Sequence, residues 1–209
     1  REDVIEYAGR LDPLIIEDLL TAHALATGPA EVDRFRDGYR RHLIRLLETP
    51  GVARPCPGVM DLLDALRGEE QVTLGLLTGN YPETGRIKLE AAGIDPARFH
   101  LAVWGSDSPH TPPARDHLPP VGIAKYREIR RAAIEPERVV VIGDTPHDVR
   151  CALVNGCRAL GVATGSYTVA QLEDVGAHRA VETLEDTDEV LRWLMNGTST
   201  TRTRTRATG

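Results

Sequence analysis

The sequence predicts an α/β fold in which a parallel β-sheet is covered by helices on both faces. Short apolar runs of strand length alternate with amphipathic segments of helical period, and this alternation is typical of parallel sheets. Two of the apolar runs lead into small and polar residues. Because ligands bind beyond the carboxyl ends of the strands in such sheets, the residues that follow these strands are the first candidates for function.

Composition narrows the class of protein further. A chain of 209 residues is long enough for one domain, or for a core with a small appendage. Its 25 Lys and Arg against 31 Asp and Glu give a net charge of −6, which argues against a nucleic-acid partner. Three cysteines without a Cys-x-x-Cys pair favour a reducing compartment, which we take to be the cytoplasm. No apolar run approaches the ~18 residues of a membrane span, so no membrane partner is expected.

The first part of the chain is predicted to be a helical hairpin. A helix over 14–20 and a second helix over 31–48 are separated by Gly28-Pro29. The apolar face of the second helix is expected to contain Val32, Phe35, Tyr39, Leu43, Leu46 and Leu47. A Pro- and Gly-rich stretch over 50–58 then forms a linker or hinge.

After this linker the pattern changes to alternating helices and strands. The predicted elements are a helix over 58–66, a strand over 72–77, a helix over 83–92, a strand over 101–104, a helix over 123–133, a strand over 139–142, a helix over 146–155, a strand over 159–163, and helices over 169–175 and 187–195. The Thr- and Arg-rich tail over 196–209 has no apolar period and is expected to be disordered.

Two strand ends contain residues suited to a phosphate and a divalent cation. Thr78, Gly79 and Asn80 follow one strand, and their hydroxyl and backbone amides can bind phosphate oxygens. Asp144 and Asp148 follow another strand and can offer hard oxygen ligands to Mg²⁺. Each motif alone is a common turn or helix start, so their joint occurrence after β-rich runs carries the functional interpretation.

These two motifs resemble the second and fourth motifs of the haloacid dehalogenase superfamily. The matching stretches are Leu-Leu-Thr-Gly-Asn over 76–80 and Val-Ile-Gly-Asp-Thr-Pro-His-Asp over 141–148, and the resemblance is closest to phosphoglycolate-phosphatase-like hydrolases. It implies a Rossmann-like three-layer sandwich with a parallel sheet and a helical cap. By this resemblance, residues 1–55 are part of the cap and residues 56–195 are the α/β core.

The resemblance also implies the chemistry. Members of this family hydrolyse small phosphorylated metabolites with Mg²⁺ through an aspartyl-phosphate intermediate. Thr78 would bind the phosphate as a catalytic residue, and Gly79 and Asn80 would support substrate binding. Asp144 would hold Mg²⁺, directly or through water, and Asp148 would support the metal site.

The family's third motif supplies a cation before a helix. Here the Pro-rich lead over 111–120 puts Arg115 in that place, as a catalytic and substrate-binding residue. Lys125 is the other candidate, but it lies inside the predicted helix. His117 and His147 lie near these motifs and are given no role.

The family's first motif, which contains the nucleophilic aspartate, has no counterpart in this sequence. The one Asp-x-Asp, over 186–188, precedes the last helix and follows no apolar strand. We therefore expect the first strand and its aspartates to belong to a segment missing ahead of Arg1, and the chain alone to be inactive. Without that strand, two of its neighbours would face each other across a gap in the sheet.

Two other functions stay open at this stage. One is a halide-removing hydrolase of the same superfamily, which works without metal and generally lacks the acidic pair of Asp144 and Asp148. The other is a non-catalytic module that senses a phosphate ligand, for which the absent nucleophile is the only support.

Overall fold

The computed structural model of the chain describes residues 7–196, so the tail over 197–209 lies outside the described residues. Helices and strands alternate after an initial pair of helices. In chain order the elements are α1 (Asp12–Ala22), α2 (Pro29–Leu47), α3 (Val59–Arg67), β1 (Gly75–Leu77), α4 (Pro82–Ala91), β2 (Leu101–Val103), α5 (Leu118–Arg130), β3 (Val140–Gly143), α6 (Pro146–Leu153), β4 (Arg158–Val162), α7 (Val169–Asp174), β5 (Arg179–Val181) and α8 (Thr187–Asn196).

The helical hairpin at the start of the chain is present, and α1 and α2 are called the helical pair below. Both helices have proline within the first two positions, where a missing N–H costs no intrahelical hydrogen bond. The predicted apolar face of α2 packs less than expected: Leu43 is buried, whereas Leu46 is 48% exposed. Helix α2 contacts α4, and it does so through the half that contains Phe35 and Tyr39, where Arg36 pairs with Glu83 and Tyr39 lies beside Lys88.

All described strand pairs are parallel, but the strands form two sheets rather than one. Strand β1 pairs with β2, and β3, β4 and β5 form a second sheet in that order. No strand among residues 7–196 pairs with both β1 and β3, so nothing joins the two sheets by backbone hydrogen bonds. The sequence predicts a gap in the sheet, and the division into two sheets agrees with it. The sequence did not predict β5, and it predicted a strand over 72–77 where only Gly75–Leu77 is extended and paired.

Helix α5 begins five residues earlier than the sequence predicts. The predicted helix starts at Ile123, but Leu118 is already helical and Pro119 and Pro120 lie in the first turn, where proline is tolerated. A short 3₁₀ turn, Arg115–His117, leads directly into this helix. Arg115 is therefore positioned by a regular turn at the start of α5.

A shared apolar core holds the two sheets together. Leu74, next to β1, and Val140, in β3, pack against the same cluster, which includes Leu62 of α3, Leu160 of β4 and Val190 of α8. Helices therefore cover the strands as the sequence predicts. None of the helices within residues 7–196 is long and apolar enough to cross a membrane.

Candidate active site

The predicted site residues line one cavity of about 380 Å³. Strands β1 and β3 lead into loops at the same edge of the fold, and the helical pair covers that edge. The cavity wall includes all six residues that the sequence singled out: Thr78, Gly79, Asn80, Arg115, Asp144 and Asp148. The two motifs, 66 positions apart from Thr78 to Asp144, therefore belong to a single site.

The loop after β1 presents donors to the cavity. The Thr78 hydroxyl oxygen accepts the Asn80 backbone N–H at 3.3 Å, and the Thr78 backbone N–H donates to the Val103 carbonyl at 3.0 Å. Within residues 7–196, the Thr78 hydroxyl hydrogen and the Gly79 N–H meet no acceptor. These are the two donors of the loop that a bound anion can use.

The Asn80 side chain is held at both ends. Its Nδ2 donates to Asp12 Oδ1 at 3.2 Å, and its Oδ1 accepts from Lys88 Nζ at 3.1 Å. Because both ends of the amide are hydrogen-bonded, its orientation is fixed. The Asn80 side chain thus links the loop to Asp12 and Lys88 and holds it in place, which specifies the predicted supporting role.

A short segment over 9–12, called the strap below, crosses the site and was not predicted to be functional. The Gly9 carbonyl accepts from Arg115 Nη1 at 3.2 Å, and the Asp12 N–H donates to the Gly79 carbonyl at 2.8 Å. A Cβ on Gly79 would collide with the Arg10 carbonyl oxygen, so only glycine allows the strap to approach this closely. Leu11 anchors the strap, because it is buried in the cluster of β2 and α5.

Asp12 is the strongest polar link in the strap. Its Oδ2 accepts the Tyr81 backbone N–H at 2.9 Å and the Thr84 hydroxyl at 3.4 Å, in addition to the bond from Asn80 to Oδ1. The residue is 9% exposed. With both oxygens accepting hydrogen bonds, Asp12 is suited to positioning the loop and not to nucleophilic attack.

Arg115 and Asp148 form a buried ion pair in the cavity wall. Arg115 Nη2 donates to Asp148 Oδ1 at 2.5 Å, with the side chains 13% and 7% exposed. Asp148 Oδ2 accepts from the Thr145 N–H and hydroxyl, and the Asp148 N–H donates to Thr145 Oγ1. These reciprocal bonds cap the first turn of α6. Arg115 Nε is buried and has no acceptor within residues 7–196.

Lys125, the alternative cation, does not line the cavity. Its Nζ donates to the Ala102 carbonyl at 2.7 Å and pairs with Asp107 Oδ2 at 2.6 Å. Geometry therefore favours Arg115 as the third-motif cation. His117 bonds Ser108 Oγ through Nδ1 at 2.7 Å, in keeping with the absence of an assigned role.

Asp144 has the environment expected of a cation ligand. Burial raises the pKa of its carboxyl, and the nearby charge of Asp148 raises it further, against smaller opposing effects of its own backbone hydrogen bond and of Arg115. A Cβ on Gly165 would collide with Asp144 Oδ2, so the glycine leaves the space that this carboxylate occupies. A divalent cation beside Asp144 would offset both unfavourable effects.

The donor set of the cavity fits Mg²⁺. No cluster of three or more His, Cys, Asp or Glu side chains suited to a metal occurs within residues 7–196. Mg²⁺ in phosphoryl-transfer sites is commonly held by one or two carboxylates, with waters and substrate oxygens completing the octahedron. Asp144 suits the role of direct ligand, whereas Asp148 is already bonded to Arg115 and Thr145.

Sequence comparison identifies the family. The fold and the cavity together define an α/β protein with a polar site, suited to a phosphate, under a pair of helices. A family model described as haloacid dehalogenase-like hydrolase matches residues 6–153, and a second, described as HAD-hydrolase-like, matches residues 122–189. The chain belongs to the haloacid dehalogenase-like hydrolase family.

The relatives of this chain are distant. It is 27% identical over 157 residues to the probable phosphatase IndB of Dickeya dadantii, and 24% identical over 174 residues to a phosphoglycolate phosphatase of Agrobacterium fabrum. These matches cover 75% and 82% of the chain, and the chain spans 63% and 69% of the two relatives' lengths.

Solved structures confirm the fold. A hydrolase from Pseudomonas syringae superimposes with a TM-score of 0.66 at 23% identity, covering 89% of this chain and 80% of that one. A beta-phosphoglucomutase from Clostridium difficile gives 0.64 at 13% identity, covering 90% and 78%. The predicted α/β fold with a helical cap is therefore confirmed.

Proposed function

We propose that the protein is a Mg²⁺-dependent phosphatase that hydrolyses a small phosphate monoester through an aspartyl-phosphate intermediate. The observation that carries this proposal is the single cavity that joins the loop beginning at Thr78 with the loop beginning at Asp144. Anion donors face a hard-cation ligand there, and this pairing suits a metal-bound phosphate better than a neutral substrate. The names of the two curated relatives support the same reaction.

In this proposal the phosphate lies between the two loops. The Thr78 hydroxyl and the Gly79 N–H donate to its oxygens, and Arg115, which lines the same cavity, supplies positive charge. These donors are fixed before the ligand arrives, because Asp12 and Asp148 hold the groups that present them. Preorganised donors stabilise charge that develops on the transferring phosphoryl group.

Asp144 would hold Mg²⁺, and Asp148 would support the metal site through Arg115 and Thr145. When bound, the cation would neutralise charge on the phosphate oxygens. The helical pair would exclude water from the cavity as part of a cap over residues 1–55, with the core over 56–195.

We propose that the attacking carboxylate lies outside residues 7–196. Three carboxylates line the described part of the cavity. Asp12 and Asp148 accept hydrogen bonds through both oxygens, and Asp144 is the proposed metal ligand. A nucleophile needs an oxygen that is free to attack phosphorus in line. Asp12 and Asp148 do not meet this condition, and Asp144 is assigned to the metal.

The test has a binding arm and a turnover arm. Inorganic phosphate is titrated into the protein with and without Mg²⁺ by calorimetry. Phosphate release is measured on a panel of monoesters, before and after EDTA, with protein expressed from the complete gene. We expect Mg²⁺-dependent binding, and turnover that EDTA abolishes. Asp144→Asn should weaken both, whereas Asp61→Asn, which changes an exposed carboxylate on α3, should leave both unchanged.

The alternatives give different results in the same experiment. Halide release from a 2-haloacid that persists in EDTA would replace the phosphatase with a dehalogenase. Phosphate binding without turnover of any monoester by protein expressed from the complete gene would assign a non-catalytic phosphate-binding module. Absence of phosphate binding would contradict all phosphate-based functions.

We also propose a reducing compartment, the cytoplasm, as the site of action. The three cysteines, Cys56, Cys151 and Cys157, are all free thiols in the described structure. A small phosphorylated metabolite is the proposed partner, and neither nucleic acid nor membrane is expected.

A further inference from the structure

The cavity has two chemically distinct halves. One half is polar and consists of the strap, the loops after β1 and β3, and Arg115. The other half is formed by the helical pair. Every residue of α1 and α2 after Pro13 that lines the cavity has an aliphatic or aromatic side chain. They are Ile15, Ile16 and Leu19 from α1, and Phe35 and Tyr39 from α2.

This apolar half is not a consequence of an apolar helix. Eight of the 19 residues of α2 are charged, yet only Phe35 and Tyr39 reach the cavity from it. Arg36, the residue after Phe35, is turned instead to Glu83, with Nη2 and Oε1 2.7 Å apart, and its guanidinium lies 3.9 Å from the Tyr81 ring centroid. The charged residues of α2 are thus turned away from the cavity.

The cations nearest to the apolar half are already bonded. Arg10 Nη1 pairs with Asp18 Oδ2 at 2.7 Å. Lys88 Nζ donates to Asn80 Oδ1 and lies 5.7 Å from the Tyr39 ring centroid, at the boundary between the two halves. Lys88 forms no ion pair within residues 7–196, so its charge adds to the attraction for a phosphate bound at the adjacent loop.

The cavity is large enough to bind a small molecule. Cavities that bind small molecules commonly measure about 300–1,000 Å³. The volume of about 380 Å³ lies within this range. The helical pair and the phosphate-binding loops line the same cavity, so the rest of an ester whose phosphate is held by the loops can contact the apolar side chains of the helical pair.

We propose that the substrate is a phosphate monoester with an apolar, ring-bearing leaving group, seated against Ile15, Leu19 and Tyr39. This inference rests on the proposed function and extends it to the class of leaving group. It also separates this chain from phosphoglycolate, the substrate in the name of one relative, because a carboxylate on the leaving group would face an apolar wall.

Phosphonates that resist hydrolysis test the proposal by calorimetry in Mg²⁺. The probes are inorganic phosphate, benzylphosphonate, which mimics phenyl phosphate, and 3-phosphonopropionate, which mimics phosphoglycolate. Burial of a ring predicts that benzylphosphonate binds at least about tenfold more tightly than inorganic phosphate. We expect 3-phosphonopropionate to gain no comparable advantage.

Variants of the residues that line the cavity test where the ring of benzylphosphonate binds. Leu19→Asn and Tyr39→Ala should each weaken benzylphosphonate binding about three- to tenfold while leaving the affinity for inorganic phosphate unchanged. Leu46→Asn is the matched control, because Leu46 is an exposed leucine of α2 outside the cavity wall. Unchanged phosphate binding in the variants also shows that they are folded.

The outcomes separate the two proposals. Phosphate binding with 3-phosphonopropionate as tight as benzylphosphonate, or tighter, would overturn the apolar leaving group and leave the phosphatase proposal standing. An equal loss in Leu46→Asn and Leu19→Asn would also overturn it. No binding of any probe would refute the phosphate site itself.

Discussion

Replacing Asp12 with alanine tests whether the strap holds the phosphate loop in shape. The substitution removes the acceptor of two donors, the Tyr81 N–H and Asn80 Nδ2, whereas the Thr84 hydroxyl keeps the Tyr81 carbonyl as acceptor. An unpaired buried donor costs about 1–3 kcal/mol, so two predict a loss of about 2–6 kcal/mol in the free energy of unfolding. For a protein of this size the melting temperature would fall by roughly 4–24 °C.

Two further variants calibrate this loss. Asp12→Asn keeps an acceptor for the Tyr81 N–H but turns an amide NH₂ toward the NH₂ of Asn80, so we expect an intermediate loss of about 1–2 kcal/mol. Asp18→Ala on the same helix breaks a surface ion pair with Arg10, and Asp18 is 47% exposed. Such pairs contribute about 0–1 kcal/mol, which makes this variant the control.

Urea unfolding followed by tryptophan fluorescence measures the three free energies, and calorimetry measures the affinity for inorganic phosphate. We expect Asp12→Ala to be the least stable variant and to bind phosphate more weakly than the parent protein. If Asp12→Ala loses no more stability than Asp18→Ala, the reasoning about buried donors is wrong. Parental phosphate affinity in a destabilised Asp12→Ala would show that the strap stabilises the fold without shaping the loop.

Three more predictions concern two ion pairs and the cysteines. Arg115→Ala leaves the carboxylate partner of Arg115 buried and unpaired, so it should cost about 3–5 kcal/mol in urea unfolding and weaken phosphate binding. Lys125→Ala breaks a partly exposed pair and should cost about 0–1 kcal/mol with phosphate binding intact; the reverse pattern would make Lys125 the third-motif cation. Burial raises the pKa of Cys151 to about 12 and that of Cys157 to about 11, so both stay protonated and only the exposed Cys56 should react with Ellman's reagent at about pH 8. Rapid modification of more than one thiol in the folded protein would contradict their burial.

Those parts of the site that are local in sequence could be predicted. Thr78 and Asp144 each follow a β-rich run directly, and the rule that ligands bind at the carboxyl ends of parallel strands is enough to bring them together. Arg115 was predicted through the resemblance to the family's third motif, which was aligned on the prolines that mark the start of the helix. In each case the residue type and its position relative to one element carry the information.

The strap could not be predicted because its contacts connect distant positions. Asp12 bonds residues 68–72 positions away, and in the sequence an aspartate before proline is an ordinary helix start. Lys88 likewise appears as a common helical lysine until Asn80 and Tyr39 are found on either side of it. Strand β5 was missed for a related reason, since its three residues, Arg179–Val181, are extended through pairing with β4.

The same limit explains why the sequence indicates the reaction before it indicates the substrate. The polar half of the cavity uses threonine, glycine, aspartate and arginine at strand ends and helix starts, where these residue types have few other uses in combination. The apolar half uses Ile15, Leu19, Phe35 and Tyr39, residue types that helices also use to pack a core. Periodicity cannot distinguish a face that packs from a face that lines a cavity, because both require the same spacing. The distinction appears only in the structure, where charged residues of α2 turn to other partners and leave the aromatic ones at the cavity.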